Sequence, residues 1–143
     1  SVNVPGVSIQ AIEMVNPFAN IPYAGNNVSF EELAVTFIVD EHLKNWIEIY
    51  DRVIALGLGE GTENYRLLKN SSDLTPRGGT VSTIVLSVLT SGMNPQMEFH
   101  FNEAFPISIS SLEFNSASTD VEYFVATATF RYTNYEIKNL LNN

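Results

Sequence analysis

The chain contains no cysteine. That removes disulfide frameworks, thiolate metal sites and cysteine nucleophiles together, and with them any reading of redox compartment. Histidine is nearly as scarce, with His42 and His100 alone. One falls at the start of a helical stretch and the other on the polar side of a strand, so the two build neither a metal site nor a triad. Cations are few as well: seven Lys and Arg stand against sixteen Asp and Glu, for a net charge of −9. A protein that grips nucleic acid needs a basic face, and seven scattered cations build none. Repulsion from polyanions is the expectation. No apolar run approaches the roughly 20 residues of a membrane span, so no membrane insertion by this chain is expected. The opening residues, Ser1 to Gly6, lack the basic stretch and apolar core of a signal peptide.

What fills the chain instead is uncharged. Charged residues are 16% of the sequence, below the roughly 25% of an average domain, and fifteen Asn, thirteen Ser and ten Thr take their place. With 45% apolar residues, this composition suits a β-rich protein whose surface partly meets other protein. A length of 143 residues gives a single domain, 1–143.

Chemistry-bearing motifs fail one by one. Glu31 and Glu32 are adjacent on a strand pattern and point to opposite faces, so they cannot act as an acid–base pair. Gly57, Gly59 and Gly61 follow a helix, whereas a dinucleotide-binding turn follows a strand and opens a helix. Asn27-Val28-Ser29 and Asn70-Ser71-Ser72 match the glycosylation sequon, a pattern expected by chance in a chain so rich in Asn and Ser. No catalytic residue, cofactor site or metal site emerges, and no enzyme is expected.

The hydrophobic pattern is mostly that of strands. Residues 8–15 read as a strand. Residues 16–27, broken by Pro17, Pro22 and Gly25, read as a loop or loose hairpin, yet carry Phe18, Ile21 and Tyr23. Residues 29–39 read as a strand, with Leu33, Val35, Phe37 and Val39 at period two. Asp40 is the expected N-cap of one helix over 41–56. Its stripe of Leu43, Trp46, Ile47, Tyr50, Val53 and Ile54 is expected to face the core. Residues 58–79 form a long mixed connection containing Leu67 and Leu68. Strands are then expected over 80–90, around Met97-Phe99-Phe101, over 105–114 with a bulge near Ser110-Ser111, and over 121–132 as a central strand. Residues 134–143 read as a tail of weak helical character. These elements give a β-sandwich or barrel with one flanking helix.

Three segments in order carry a resemblance. They are Val4-Pro5-Gly6-Val7-Ser8; residues 29–46 running on through Glu48-Ile49-Tyr50; and residues 105–114 followed by Val121-Glu122-Tyr123 and 126–132. At these spacings the chain resembles the tail tube proteins of contractile-tailed bacteriophages, over most of its length except residues 57–79. The resemblance implies a β-barrel or sandwich with one flanking helix, assembled as hexameric rings through a continuous inter-subunit sheet. Stacked rings would form the inner tube of a virion tail, assembled in the host cytoplasm. The partners it implies are the tail sheath protein, baseplate proteins and tail terminator proteins. Genomic DNA would pass without specific binding, through a channel in which bound phosphates would act as brakes. It also implies a strand ahead of the Pro-Gly segment, for which only Ser1 to Val4 are present. A tube-initiator or baseplate hub of the same fold is an alternative. So is a monomeric β-sandwich binding module using Tyr65, Tyr132 and Tyr135. Under the tube reading, Phe18, Ile21, Tyr23, Leu67 and Leu68 are the candidate inter-subunit contacts. Gln96, Glu98, His100 and Asn102, polar and not basic, are the candidate channel lining. Leu43, Trp46, Ile47 and Tyr50 anchor the helix on the barrel.

Overall fold

The computed structural model describes residues 1–58, 63, 66, 78–114 and 123–140. Among them the elements run β1 (Val7–Val15), β2 (Asn20–Phe30), β3 (Leu33–Ile38), α1 (Lys44–Leu58), a 3-10 turn (Gly78–Thr80), β4 (Ser82–Leu89), β5 (Pro95–Ile109), β6 (Val125–Arg131) and β7 (Asn134–Asn139). β1 and β2 form a two-stranded hairpin. The other strands are ordered β3-β6-β5-β4, with β7 also on β5, and every pairing is antiparallel. The fold is mainly β with one flanking helix, and among the described residues the sheets stay open and do not close into a barrel.

β5 is the hub. Its first half pairs with β4 on one side and β7 on the other; its second half pairs with β6. Between the halves the register against β4 slips from Ile84↔Phe101 to Ser82↔Ala104, and Glu103 takes a positive φ of 52°. A bulge of this kind bends a strand and sharpens its twist. Thr133 fixes the bend from the opposite edge: its N–H donates to the Asn102 carbonyl at 3.0 Å and its hydroxyl to Glu103 Oε2 at 2.7 Å.

The core gathers at this bend. Phe101 is fully buried (0% exposed), with Leu33 and Ala104. Ile84 and Tyr135 flank Phe101 from β4 and β7 in register. The Tyr132 ring meets Phe101 edge-on at 5.0 Å, a geometry that aromatic quadrupoles favour. Helix α1 packs against β5. Trp46 Nε1 donates to the Ser110 carbonyl at 3.1 Å, and Arg52 to the Gly79 carbonyl at 3.2 Å.

Several expectations change here. The breaker-rich stretch after residue 16 takes the hairpin option, with Pro22 and Gly25 inside β2. The strand expected over 29–39 is two strands, because Glu31 and Glu32 leave the ladder: Glu31 N–H donates to the Gly6 carbonyl. The helix starts at Lys44 instead of residue 41. Asp40 caps it from outside a tight turn, with Oδ1 2.8 Å from Lys44 N, and Leu43 in that turn has φ 57°. The two strands expected around residues 97–114 are one fifteen-residue strand, and its irregularity on the β6 side lies between Pro106 and Ser108, ahead of the expected Ser110-Ser111. The tail expected to be helical is strand β7, because Tyr135 and Ile137 alternate with polar residues and align with Phe101 and Phe99. The expected central strand is β6, between β3 and β5.

Phe101→Ala should destabilise the fold by about 3–5 kcal/mol, since it opens a cavity in a filled core. Phe18→Ala, in a side chain 96% exposed, should change stability by less than about 0.5 kcal/mol. Denaturant melts of the monomer measure both.

Candidate assembly surfaces

The β1–β2 hairpin is an arm held only at its base. All of β1 is exposed, and β2 is partly covered at Gly25 and Phe30 alone. At the base, Glu31 and Gly6 bond reciprocally: Glu31 N–H to the Gly6 carbonyl and Gly6 N–H to Glu31 Oε2, both at 3.1 Å. Two tyrosines from the body reach across. Tyr132 Oη donates to the Glu31 carbonyl at 2.7 Å and Tyr135 Oη to the Pro5 carbonyl at 3.3 Å. The Phe30 ring rests edge-on against both. Sequence reading considered these tyrosines for ligand binding, but their hydroxyls are spent on the clamp.

Beyond the base the arm carries a wide bulge. Pairing jumps from Ile9↔Val28 to Ala11↔Ala24, so Gln10 faces three residues of β2. A Cβ on Gly25 would lie 2.0 Å from the Gln10 carbonyl oxygen, so only glycine allows this approach. Past the bulge, Ile12 pairs with Tyr23 and Met14 with Ile21. Paired residues share a face, and this face is apolar and exposed. Of the expected inter-subunit contacts, Phe18 sits in the turn between β1 and β2, and Ile21 and Tyr23 lie on this face. Leu67 and Leu68 lie outside the described residues.

Helix α1 presents a second apolar surface, which the sequence reading assigned to the core. The covered side is Trp46, Ile49, Val53, Ala55 and Leu56. Leu43 is half-buried, but Ile47 and Tyr50 are 43% and 42% exposed, and Ile54 and Leu58 are exposed on their side of the helix. Tyr50 stacks on Trp46 with ring centroids 5.2 Å apart. The signal was present in the sequence: Ile49 and Leu56 widen the stripe on the side of Trp46 and Val53, and that is the side the sheet covers.

The expected channel residues do share one face of β5. Gln96, Glu98, His100 and Asn102 alternate with Met97, Phe99 and Phe101, the last fully buried. His100 Nε2 lies 2.9 Å from Glu98 Oε2, and Asn102 Nδ2 donates to Asn134 Oδ1 at 2.9 Å. Across the ladder, Glu98 faces Lys138 and His100 faces Glu136, so two carboxylates flank one ammonium. The sequence did not point to a second polar face on β3 and β6, where Thr36 and Thr127 join hydroxyls at 3.1 Å. Among the described residues no group of three or more His, Asp or Glu could hold a metal, and no helix is long and apolar enough to cross a membrane.

No family model matches the chain. It is 29% identical over 142 residues to the tail tube terminator protein of Enterobacteria phage T4, covering 96% of this chain and 75% of that protein. A chain of the cryo-EM structure of the anti-feeding prophage baseplate superposes with a TM-score of 0.64 at 12% identity, over 97% of this chain and 79% of its own. The fold is that of contractile injection system components. A chain of the sheath/tube terminator of an extracellular contractile injection system, PVC, in its extended state shares it as well. That chain has a TM-score of 0.59 at 19% identity, over 96% of this chain and 83% of its own. The resemblance read from the sequence therefore holds at the level of contractile-tail components. The phage relative is a terminator and not a tube protein.

The clamp gives this contractile-tail fold a pH signature. Burial, then the neighbouring Tyr135 and Glu31, push the Tyr132 phenol up to about 12 from its ordinary 10.0. In the unfolded chain the phenol ionises near 10, while in the folded chain it stays neutral. Its contribution is thus fully present below pH 10 and is lost as pH rises towards about 12. Tyr132→Phe should lower neutral-pH stability by about 1 kcal/mol through the lost hydrogen bond. It should also flatten the decline in denaturation midpoint above pH 10.

Proposed function

We propose that the chain is a ring-forming structural protein of a contractile tail, and that its hexameric ring terminates the tail tube. The observation that carries the reading is exposed surface. A compact monomer of 15.9 kDa would expose about 7,400 Å², but this chain exposes 10700 Å². The excess is of the size that obligate assemblies bury, on the order of 2,000–5,000 Å². Exposed apolar side chains of the arm and of the outer side of α1 contribute to it. The similarity to the T4 terminator over nearly the whole chain supports the place at the tube end, and the fold shared with a sheath/tube terminator agrees.

In this reading the arm residues Phe18, Ile21 and Tyr23 join subunits, and the ring meets tube, sheath and baseplate-type proteins of the same tail. It has no catalytic role. The Gln96, Glu98, His100 and Asn102 face lines the channel, where a net-negative polar wall lets DNA pass without the counterion release that drives binding. The protein is a component of the virion tail, assembled in the host cytoplasm. A tube-body role uses the same ring but adds end-to-end stacking.

Light scattering and negative-stain microscopy of concentrated protein test the proposal. Closed rings of six times 15.9 kDa that do not lengthen support a terminator. Open-ended tubes support the tube-body role, and a monomer at every concentration overturns both. Phe18→Asp combined with Tyr23→Asp should abolish rings while leaving the circular dichroism of the monomer unchanged, because both side chains are exposed in the single chain.

A further inference from the structure

We infer that the arm of one copy lies along the outer face of helix α1 of the next copy in the ring. This rests on the ring-forming reading above and names the surface that receives the arm. A closed ring of identical subunits uses head-to-tail contacts, in which each subunit gives one patch and receives on a different one. Among the exposed apolar surfaces of the described residues, which include Val85, Val88 and Leu89 of β4, two on separate elements suit these roles. The giving patch is the arm face of Ile12, Met14, Ile21 and Tyr23. The receiving patch is Ile47, Tyr50, Ile54 and Leu58, the last 65% exposed.

Three properties fit the two together. The first is reach. The nine residues of β1 extend about 30 Å, and the fifteen of α1 span about 22 Å, so an arm can cover the helix. The second is charge. Each copy carries −9, yet between Val7 and Phe30 the only charged residue is Glu13, and its carboxylate accepts from Asn20 Nδ2. An almost neutral arm approaches another acidic copy with little Coulomb repulsion. The third is stability. A two-stranded hairpin is marginal in water, and the apolar arc of α1 is wider than its own sheet covers, leaving Ile47, Tyr50, Ile54 and Leu58 exposed. One contact meets both needs, and the polar Lys44, Glu48 and Asp51 are left at its rim.

The absence of cysteine makes the test direct. Ile12→Cys and Ile54→Cys are introduced together, and the assembled protein is treated with a short bis-maleimide. The expected product is a covalent ladder reaching six subunits on a denaturing gel, whereas each single variant stops at a dimer. Rings of normal size that give no ladder overturn the inference. So does a ladder obtained instead from Ile12→Cys with Val85→Cys, on the β4 face paired with His100. Those results leave the ring reading standing; absence of any oligomer removes both. Ile54→Glu gives a second measurement. It should keep the monomer fold and raise the concentration at which rings appear more than about tenfold, because the contact would bury an unpaired charge. Unchanged assembly overturns the inference.

Discussion

The bend in β5 at Asn102–Glu103 is the constraint on which the rest of the molecule depends. One strand serves β4 and β7 before the bend and β6 after it, so the whole body is organised around a single backbone kink. Phe101 and Ala104 flank the kink and are fully buried, and Leu33 from β3 closes over them. Because the two halves share a strand, the body behaves as one cooperative unit: a change in core packing at Phe101 is felt by β3, β4, β6 and β7 together. The geometry also fixes where Tyr132 and Tyr135 emerge, on either side of the step between β6 and β7. Both hydroxyls therefore reach the chain crossing from the body to the arm.

Body and arm follow opposite rules. The body hides large apolar side chains behind small ones and uses alanines at 126 and 128 where strands lie fully covered. The arm hides nothing. Its apolar residues stand in solvent on a scaffold of two strands pinned at one end, and its charge is nearly nil in a strongly acidic chain. Such a segment is costly in a monomer and makes sense as half of an interface.

Much of the body was legible in the sequence. Strict alternation at Met97, Phe99 and Phe101 against Glu98, His100 and Asn102 marks a half-buried strand, and the period-two run from Leu33 to Val39 marks β3. Family resemblance supplied the level of organisation that periodicity cannot. Other features were hidden for physical reasons. Pro22 and Gly25 read as breakers, but an edge strand tolerates proline and a bulge requires glycine. Of the helix stripe, Trp46 and Val53 are covered as expected, but Ile47, Tyr50 and Ile54 are exposed, because the apolar arc is wide and a single chain's pattern does not say which part of it its own sheet takes. The tail after Asn134 has too few residues to show a period, and its strand form comes from pairing with β5. Tyr132 and Tyr135 gave no sign of clamping backbone more than one hundred residues away.

The marginal stability of the free arm bears on when assembly starts. A segment that gains full order only against a neighbour charges the cost of ordering to the first contact. Two free subunits, each bearing the same excess of negative charge, must meet that cost and their mutual repulsion with one interface to offset them. In the proposed ring, a subunit joining a partly built assembly would meet a preformed receiving surface, and the last one would gain two interfaces at once. Closure of the proposed ring would then be cooperative and its nucleus unfavourable, so rings would appear only above a threshold concentration, and a template that presents the first surface would lower it. In an assembly whose order of construction matters, a loosely held arm of this kind would act as a timer.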